Sequence, residues 1–170
     1  MQNSNDQDCK CPHCGASMII HKQTLSRGLV QSLIKFKQAI FKYNRNSIHL
    51  DEIGLNQTQF NNFQKLRYFG LVAKYQDPGT KKNLAGYWLL TKRGNLFLKN
   101  ELAVPCSVYT FRNKIVDRDK TKLMISEIVL SAEIPYWQER LDFPFDYADV
   151  MDIEELKVDS NGQGIMNLFN

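Results

Sequence analysis

The stretch from Asn56 to Leu90 constrains this chain most, because a helix pattern there must stop at a glycine and pass straight into a hairpin. Asn56 with Gln59 three residues later is a capping-box variant that opens a helix, and Gly70 can close it in a left-handed conformation. Behind the glycine come two strand-like runs, 71–76 and 87–91, on either side of Asp77-Pro78-Gly79-Thr80-Lys81-Lys82-Asn83. Pro-Gly followed by polar residues is a turn with a steric cause, so a hairpin with a basic tip is expected. At about 100° per residue, Phe60, Phe63 and Leu66 point inward with Phe69 at the edge. Thr58, Asn61, Lys65 and Tyr68 then form the opposite, outward face.

The flanking segments read as follows. Ser26 is an N-cap for a helix to about Tyr43, with Leu29, Leu33, Phe36 and Ile40 on one face, flanked by Val30, Ile34 and Phe41. Lys35, Gln38 and Lys42 fall on the other side. Residues 47–50 are short and extended, and Asp51 caps a single turn through Gly54. Thr91 or Asn95 starts a short helix through Glu101. Segments 104–116 and 123–130 are expected to pair as strands around the polar turn Asp117-Arg118-Asp119-Lys120. There are no internal repeats.

This order of elements resembles the winged helix-turn-helix domain over residues 25–101. The residues that carry the resemblance are Phe63-Gln64-Lys65-Leu66-Arg67-Tyr68-Phe69-Gly70-Leu71-Val72 and Leu90-Thr91-Lys92-Arg93-Gly94. In that superfamily the third helix commonly ends in Leu-x-x-x-Gly-Leu-Val running into the wing, and a Leu-Thr-x-x-Gly step leaves it. One departure is that the second helix, 51–54, is barely one turn, which compresses the helix-turn-helix. The expected fold class is therefore α+β: a winged helix-turn-helix core with an N-terminal zinc knuckle, an additional C-terminal β-hairpin and an acidic tail. The corresponding segments are 1–24, 25–101, 102–132 and 133–170.

The four cysteines point to a metal. Three crowd into Cys9-Lys10-Cys11-Pro12-His13-Cys14-Gly15, and Cys106 stands alone. Clustered cysteines in a cytosolic chain are more often metal ligands than disulfides. Cys11-Pro12-His13-Cys14-Gly15 looks like a zinc knuckle, half of a zinc ribbon, with the glycine permitting the tight turn. The second Cys-x-x-Cys pair of a ribbon is missing, so the expected ligands to Zn2+ are Cys9, Cys11, Cys14 and Cys106. Cys9, two residues from Cys11, could join only with a distorted loop. Cys106 is the preferred partner, because it enters a strand pair as a second knuckle would, and His13, His21 and His49 remain as other completers. No histidine stands beside a nucleophile with an acid partner. There is no Gly-x-Ser-x-Gly, His-Glu-x-x-His or phosphate-binding glycine loop, so the chain is not expected to be an enzyme.

Charge separates along the chain. Residues 133–159 hold nine acids against Arg140 and Lys157, a net −7; with +4 overall, the remainder carries +11. Residues 9–50 contain seven bases and no acid. A basic body with an acidic tail fits proteins that handle or mimic nucleic acid. Double-stranded DNA is the expected partner. Thr58, Asn61, Lys65 and Tyr68 suit a major groove, while Lys81 and Lys82 at the wing tip, with Lys42, Arg45 and Arg27, would meet phosphates. The expected function is a DNA-binding transcriptional regulator. The alternative is a protein-interaction adaptor, or a mobile-element protein that inhibits a host nucleic-acid enzyme. The tail, with Tyr136, Trp137, Phe143, Phe145 and Tyr147, either packs back on the body, or serves as a docking peptide for a protein partner or as an imitation of nucleic acid that occupies the basic face. At 170 residues, one domain with appendages is expected. No apolar run approaches the roughly 18–20 residues of a membrane span and the first residues are polar, so a cytoplasmic location is expected. No long heptad seam speaks for a particular oligomeric state.

Overall fold

The computed structural model describes residues 6–137, with side chains from Lys10 onward. Its described part is mixed α+β, with three α-helices and three small antiparallel sheets. The first sheet has the strand order β1 (Asp6–Lys10), β2 (Ser17–Thr24), β7 (Ser107–Phe111), β8 (Lys114–Arg118). The second has the order β3 (Ser47–His49), β5 (Asn83–Leu90), β4 (Val72–Gln76). A two-residue pair, β6 (Val104–Pro105) with β9 (Lys122–Leu123), completes the set. Among the described residues no helix is long and apolar enough to cross a membrane.

Helix α1, Arg27–Tyr43, forms as its spacing predicts. The Ser26 hydroxyl accepts from the Leu29 amide at the start, and Asn44 ends the helix at φ +50°. Leu29, Leu33, Phe36 and Ile40 are buried, and Phe36 meets Phe63 edge-on at 5.3 Å between ring centres. Lys37 is the surprise, because it lies on the same helix and is fully buried. Its ammonium donates to Asn95 Oδ1 at 2.5 Å and sits 4.5 Å from the Trp137 ring centre, so the buried charge is compensated. In the next turn, Leu50–Glu52, the cap is His49 rather than the expected Asp51: its Nδ1 accepts from the Asp51 amide.

Helix α2, Gln57–Asn62, opens with the reciprocal Asn56–Gln59 box and then tightens into a 3-10 helix over Phe63–Phe69. This change of pitch corrects the expected faces. At three residues per turn, positions 63, 66 and 69 eclipse one another, and Phe63, Leu66 and Phe69 are all buried. Burying each is worth about 1.5–3 kcal/mol, which outweighs the poorer 3-10 hydrogen bonds. Phe60, expected inside, lies about 60° off that line and is 36% exposed, while Gln59, about 40° off on the other side, is buried.

Strands β4 and β5 form the expected hairpin, although β5 begins at Asn83, four residues before the expected start. Gly86 sits at φ +76° there, and a side chain on it would collide with the His49 ring. Thr91 caps α3, Lys92–Leu98. Its hydroxyl donates to the Gly70 carbonyl (2.6 Å) and accepts from the Gly94 amide (2.9 Å).

The C-terminal strands differ from expectation. The reversal falls at Arg112-Asn113, with φ +49° and +63°, so β7 and β8 replace a single long 104–116 strand. Both central residues at positive φ match the reversal that suits twisted strands, and asparagine tolerates it. Residues 117–118, expected in a turn, are in β8, and 125–127 form a 3-10 turn rather than strand. Residues 6–24 join the same sheet as 107–118, with Thr24 opposite Ser107.

Packing at the α3 junction is tight: a Cβ on Gly94 would lie 2.1 Å from the Leu71 carbonyl oxygen, whereas one on Gly28 meets nothing closer than Ser26 Oγ at 4.0 Å. Gly94→Ala should therefore cost about 1–3 kcal/mol in denaturant unfolding. Gly28→Ala should instead be neutral or stabilising by up to about 1 kcal/mol, from helix propensity. Equal midpoints for the two variants would refute this account.

Candidate functional site

The expected metal ligands do not all meet. Cys11 and Cys14 occupy the tip of the β1–β2 hairpin, where the Cys11 amide donates to Ala16 O (2.8 Å) and the Gly15 amide to Cys11 O (2.9 Å). Gly15 takes φ +69° to make that turn. The amides of His13 and Cys14, then the Cys14 side chain, hydrogen-bond the Cys11 sulfur and hold its thiol below the ordinary range. Cys106 lies at the opposite end of β2, where its carbonyl accepts from the Leu25 amide. Seven residue steps of strand separate Ser17 from Thr24, about 23 Å, so Cys106 cannot share an ion with the tip. Its thiol donates to Asp119 Oδ2 at 3.1 Å, and partial burial pushes its pKa up. Cys9 pairs with Met18 on β1, and its side chain lies outside the described ones. Among the described residues, whose side chains do not include Cys9, no three His, Cys, Asp or Glu side chains gather. The tip thus offers two thiols, half of a closed zinc set.

The helix face expected to read DNA is divided. Because the 3-10 turn adds about 20° per residue after Phe63, Lys65 and Tyr68 come into line with each other on the side facing the first sheet. Tyr68 is buried, and its hydroxyl donates to Asn113 Oδ1 at the β7–β8 turn. Thr58 and Lys65 line a cleft of about 270 Å³ whose other walls are β2, through Lys22 and Thr24, and the first turn of α1. Asn61 alone stays on the outside, with its carboxamide oxygen accepting from Gln57 at 3.0 Å. The tertiary contact, not the helix itself, decides this division. Sequence reasoning missed Lys22 and Gly28 as neighbours of Lys65; the one signal was the absence of any acid around Ser26.

The other expected contacts are exposed. Lys81 and Lys82 stand at the β4–β5 tip. Asp77, the acid beside them, accepts instead from the Thr80 hydroxyl (2.8 Å) and amide, which keeps its pKa low. Lys42 packs over Tyr43, with the ammonium 5.1 Å from the ring centre. Arg45 pairs with Glu52 at 2.6 Å, so part of its charge is already met within the chain.

The start of the acidic segment is held against α1. Glu133 accepts from Gln31 at 2.9 Å and pairs with Arg27 at 2.9 Å. Trp137 stacks on Phe41, with ring centres 6.0 Å apart, and its indole donates to the Leu98 carbonyl. Tyr136 is exposed. Phe143, Phe145, Tyr147 and the acids beyond Glu133 lie outside the described residues. Comparison with protein-family models, curated proteins and solved structures finds no match to this chain.

The Leu130 amide, Gln31 and Arg27 together bring the Glu133 pKa from 4.5 down to about 2. A carboxylate depressed on folding stabilises the fold above its unfolded pKa, and that contribution is lost as pH falls through its folded one. Wild type should therefore lose stability between pH 4.5 and about 2 more steeply than Glu133→Gln, with parallel behaviour at neutral pH. Denaturant midpoints across that range, if identical in slope, would show that this contact contributes nothing.

Proposed function

We propose that the chain is a DNA-binding protein with a winged helix-turn-helix layout over residues 25–101, acting as a regulator of transcription. The observation that carries this reading is the pair Lys81 and Lys82 on an exposed hairpin tip whose nearby acid is engaged by Thr80. The order α1, β3, a single turn, α2 with its 3-10 extension, β4, β5, α3 supports the layout. In this reading the tip lysines and Lys42 meet backbone phosphates, which positions the duplex without reading its sequence. Base contact falls to Asn61, because Tyr68 and Lys65 face the first sheet. Sequence discrimination should accordingly be modest.

That same occlusion favours a second reading. A helix whose expected groove face is closed against a sheet suits a protein-interaction adaptor, including one that inhibits a nucleic-acid enzyme. Salt separates the two, since DNA affinity falls with salt at a log–log slope of about −0.9 per phosphate neutralised. Fluorescence anisotropy with labelled duplexes is the test. Lys81→Ala with Lys82→Ala should weaken all duplexes equally and flatten the slope by about one to two units. Asn61→Ala should cost about 1–3 kcal/mol on a preferred duplex and little elsewhere. Absence of any salt-dependent duplex binding in wild type would leave the adaptor reading.

Zinc belongs to the proposal only at the hairpin tip. Cys11 and Cys14 are the two thiols suited to hold it, with the His13 and Cys14 amides orienting the Cys11 sulfur, and a closed site needs two further ligands, of which Cys9 is one candidate. When bound, the ion would be structural and would brace the β1–β2 hairpin. Elemental analysis of folded protein should find about one zinc per chain, lost in Cys11→Ser with Cys14→Ser together with a lower melting temperature. A metal content near zero with melting unchanged by chelator would make the tip a plain turn.

A further inference from the structure

The cleft between β2, the first turn of α1 and the sheet-facing side of α2 has a composition that the duplex-binding reading does not use. Lys22 and Lys65 line it together with neutral groups such as Thr24, Thr58 and Asn62, and no carboxylate contributes to its walls. Lys65 forms no ion pair or hydrogen bond among the described residues. Lys22 lies 5.9 Å from the Tyr109 ring centre, and the acid in its field, Asp119, is occupied by the Cys106 thiol and the Thr121 amide. Two ammonium groups lining one small cleft whose walls hold no carboxylate favour an anion between them. On the third wall, the charge of Arg27 is met by Glu133 at 2.9 Å. The first turn of α1 holds no acid, and Gly28 leaves the approach to its backbone open.

We propose that this cleft binds the phosphate of a small phosphorylated ligand. The chemistry follows from the donors. Two ammonium groups with the hydroxyl of Thr58 and the carboxamide of Asn62 can surround a tetrahedral oxyanion with charge-assisted and neutral hydrogen bonds. The size follows from the walls. At about 270 Å³ the cleft falls at the small end of ligand sites, enough for a phosphate with part of the group that carries it. A duplex cannot enter, because helix and strand of the same body form the two sides. A single phosphate can arrive on a free monophosphate or on the 5′ end of a strand, and the two share this chemistry.

The test uses the full chain and small probes, so its result does not depend on whether duplex DNA binds. Isothermal titration with AMP should show binding that adenosine lacks and that pyrophosphate displaces. Lys65→Ala should weaken AMP by about tenfold or more, the loss expected for one hydrogen bond to a charged group. Lys81→Ala with Lys82→Ala should leave it unchanged. Gly28→Asp adds a carboxylate to the lining of the cleft, at the helix start where a Cβ meets nothing closer than Ser26 Oγ at 4.0 Å. That variant should raise the melting temperature and abolish AMP binding. A 5′-phosphorylated oligonucleotide that outcompetes its 5′-hydroxyl counterpart assigns the phosphate to strand ends. Equal competition by the two, with AMP still bound, assigns it to a free small ligand. The proposal is overturned if neither AMP nor pyrophosphate binds at millimolar concentration. It is equally overturned if folded Lys65→Ala or Gly28→Asp binds AMP as wild type does.

Discussion

One backbone contact sets the geometry of the central body: the α-carbon of Gly94 packed on the Leu71 carbonyl. Thr91 holds it in place, donating to the Gly70 carbonyl and accepting from the Gly94 amide, while its own amide donates to Leu71 O. The end of the 3-10 helix, the start of β4 and the start of α3 therefore meet within one hydrogen-bonded cluster. With those three elements pinned, Phe63 is delivered between Phe36 of α1 and Trp88 of β5, in edge contact with both rings. The two sequence motifs that flank the β4–β5 hairpin, Gly70-Leu71 and Leu90-Thr91-x-x-Gly94, are the two halves of this single contact.

Electrostatics organise the outside of α1 in two different ways. Along one line, Arg27, Gln31, Lys37 and Phe41 receive the chain from Glu133 to Trp137, so the beginning of the acidic segment is part of the folded body. The buried ammonium of Lys37 is tolerable because Asn95 Oδ1 accepts a hydrogen bond from it and aromatic rings face its charge. At the start of the same helix, by contrast, Lys22 and Lys65 meet no acid across the cleft. Arg27 at the start of α1 is met by Glu133, whereas the cleft beside it is lined by Lys22 and Lys65 with no carboxylate in its walls. An uneven charge distribution of this kind favours recognition at a defined place over general stickiness.

The helix proposed to touch DNA also shows how a short element serves two surfaces. Thr58 faces the β2–β7 side from the first turn of the helix, the pitch change after Phe63 brings Lys65 and Tyr68 to that side as well, and Asn61 stays outside. The sheet-facing side thereby acquires a pocket, and Lys81 and Lys82 stay exposed on a separate hairpin tip.

Local signals in the sequence determined a good part of this architecture: the Ser26 and Thr91 caps, the Asn56–Gln59 box, the α1 core face and the β4–β5 hairpin all stand where short-range chemistry places them. Such features depend on neighbours within a few residues, so the sequence contains their cause. The knuckle-like turn at Cys11–Gly15 was legible on the same ground. What the tertiary structure decided involves partners far apart in the chain. Pairing of β2 with β7 joins residue 24 to residue 107, which separates Cys106 from the other thiols and builds the wall opposite Lys65. The Arg112-Asn113 reversal was readable only once β7 had a partner, because its signal is two unremarkable polar residues forced to positive φ by strand twist. Above all, the switch to three residues per turn after Phe63 has no local marker. It follows from burying Phe63, Leu66 and Phe69 in one line, and it brings Lys65 and Tyr68 to the side that the first sheet covers.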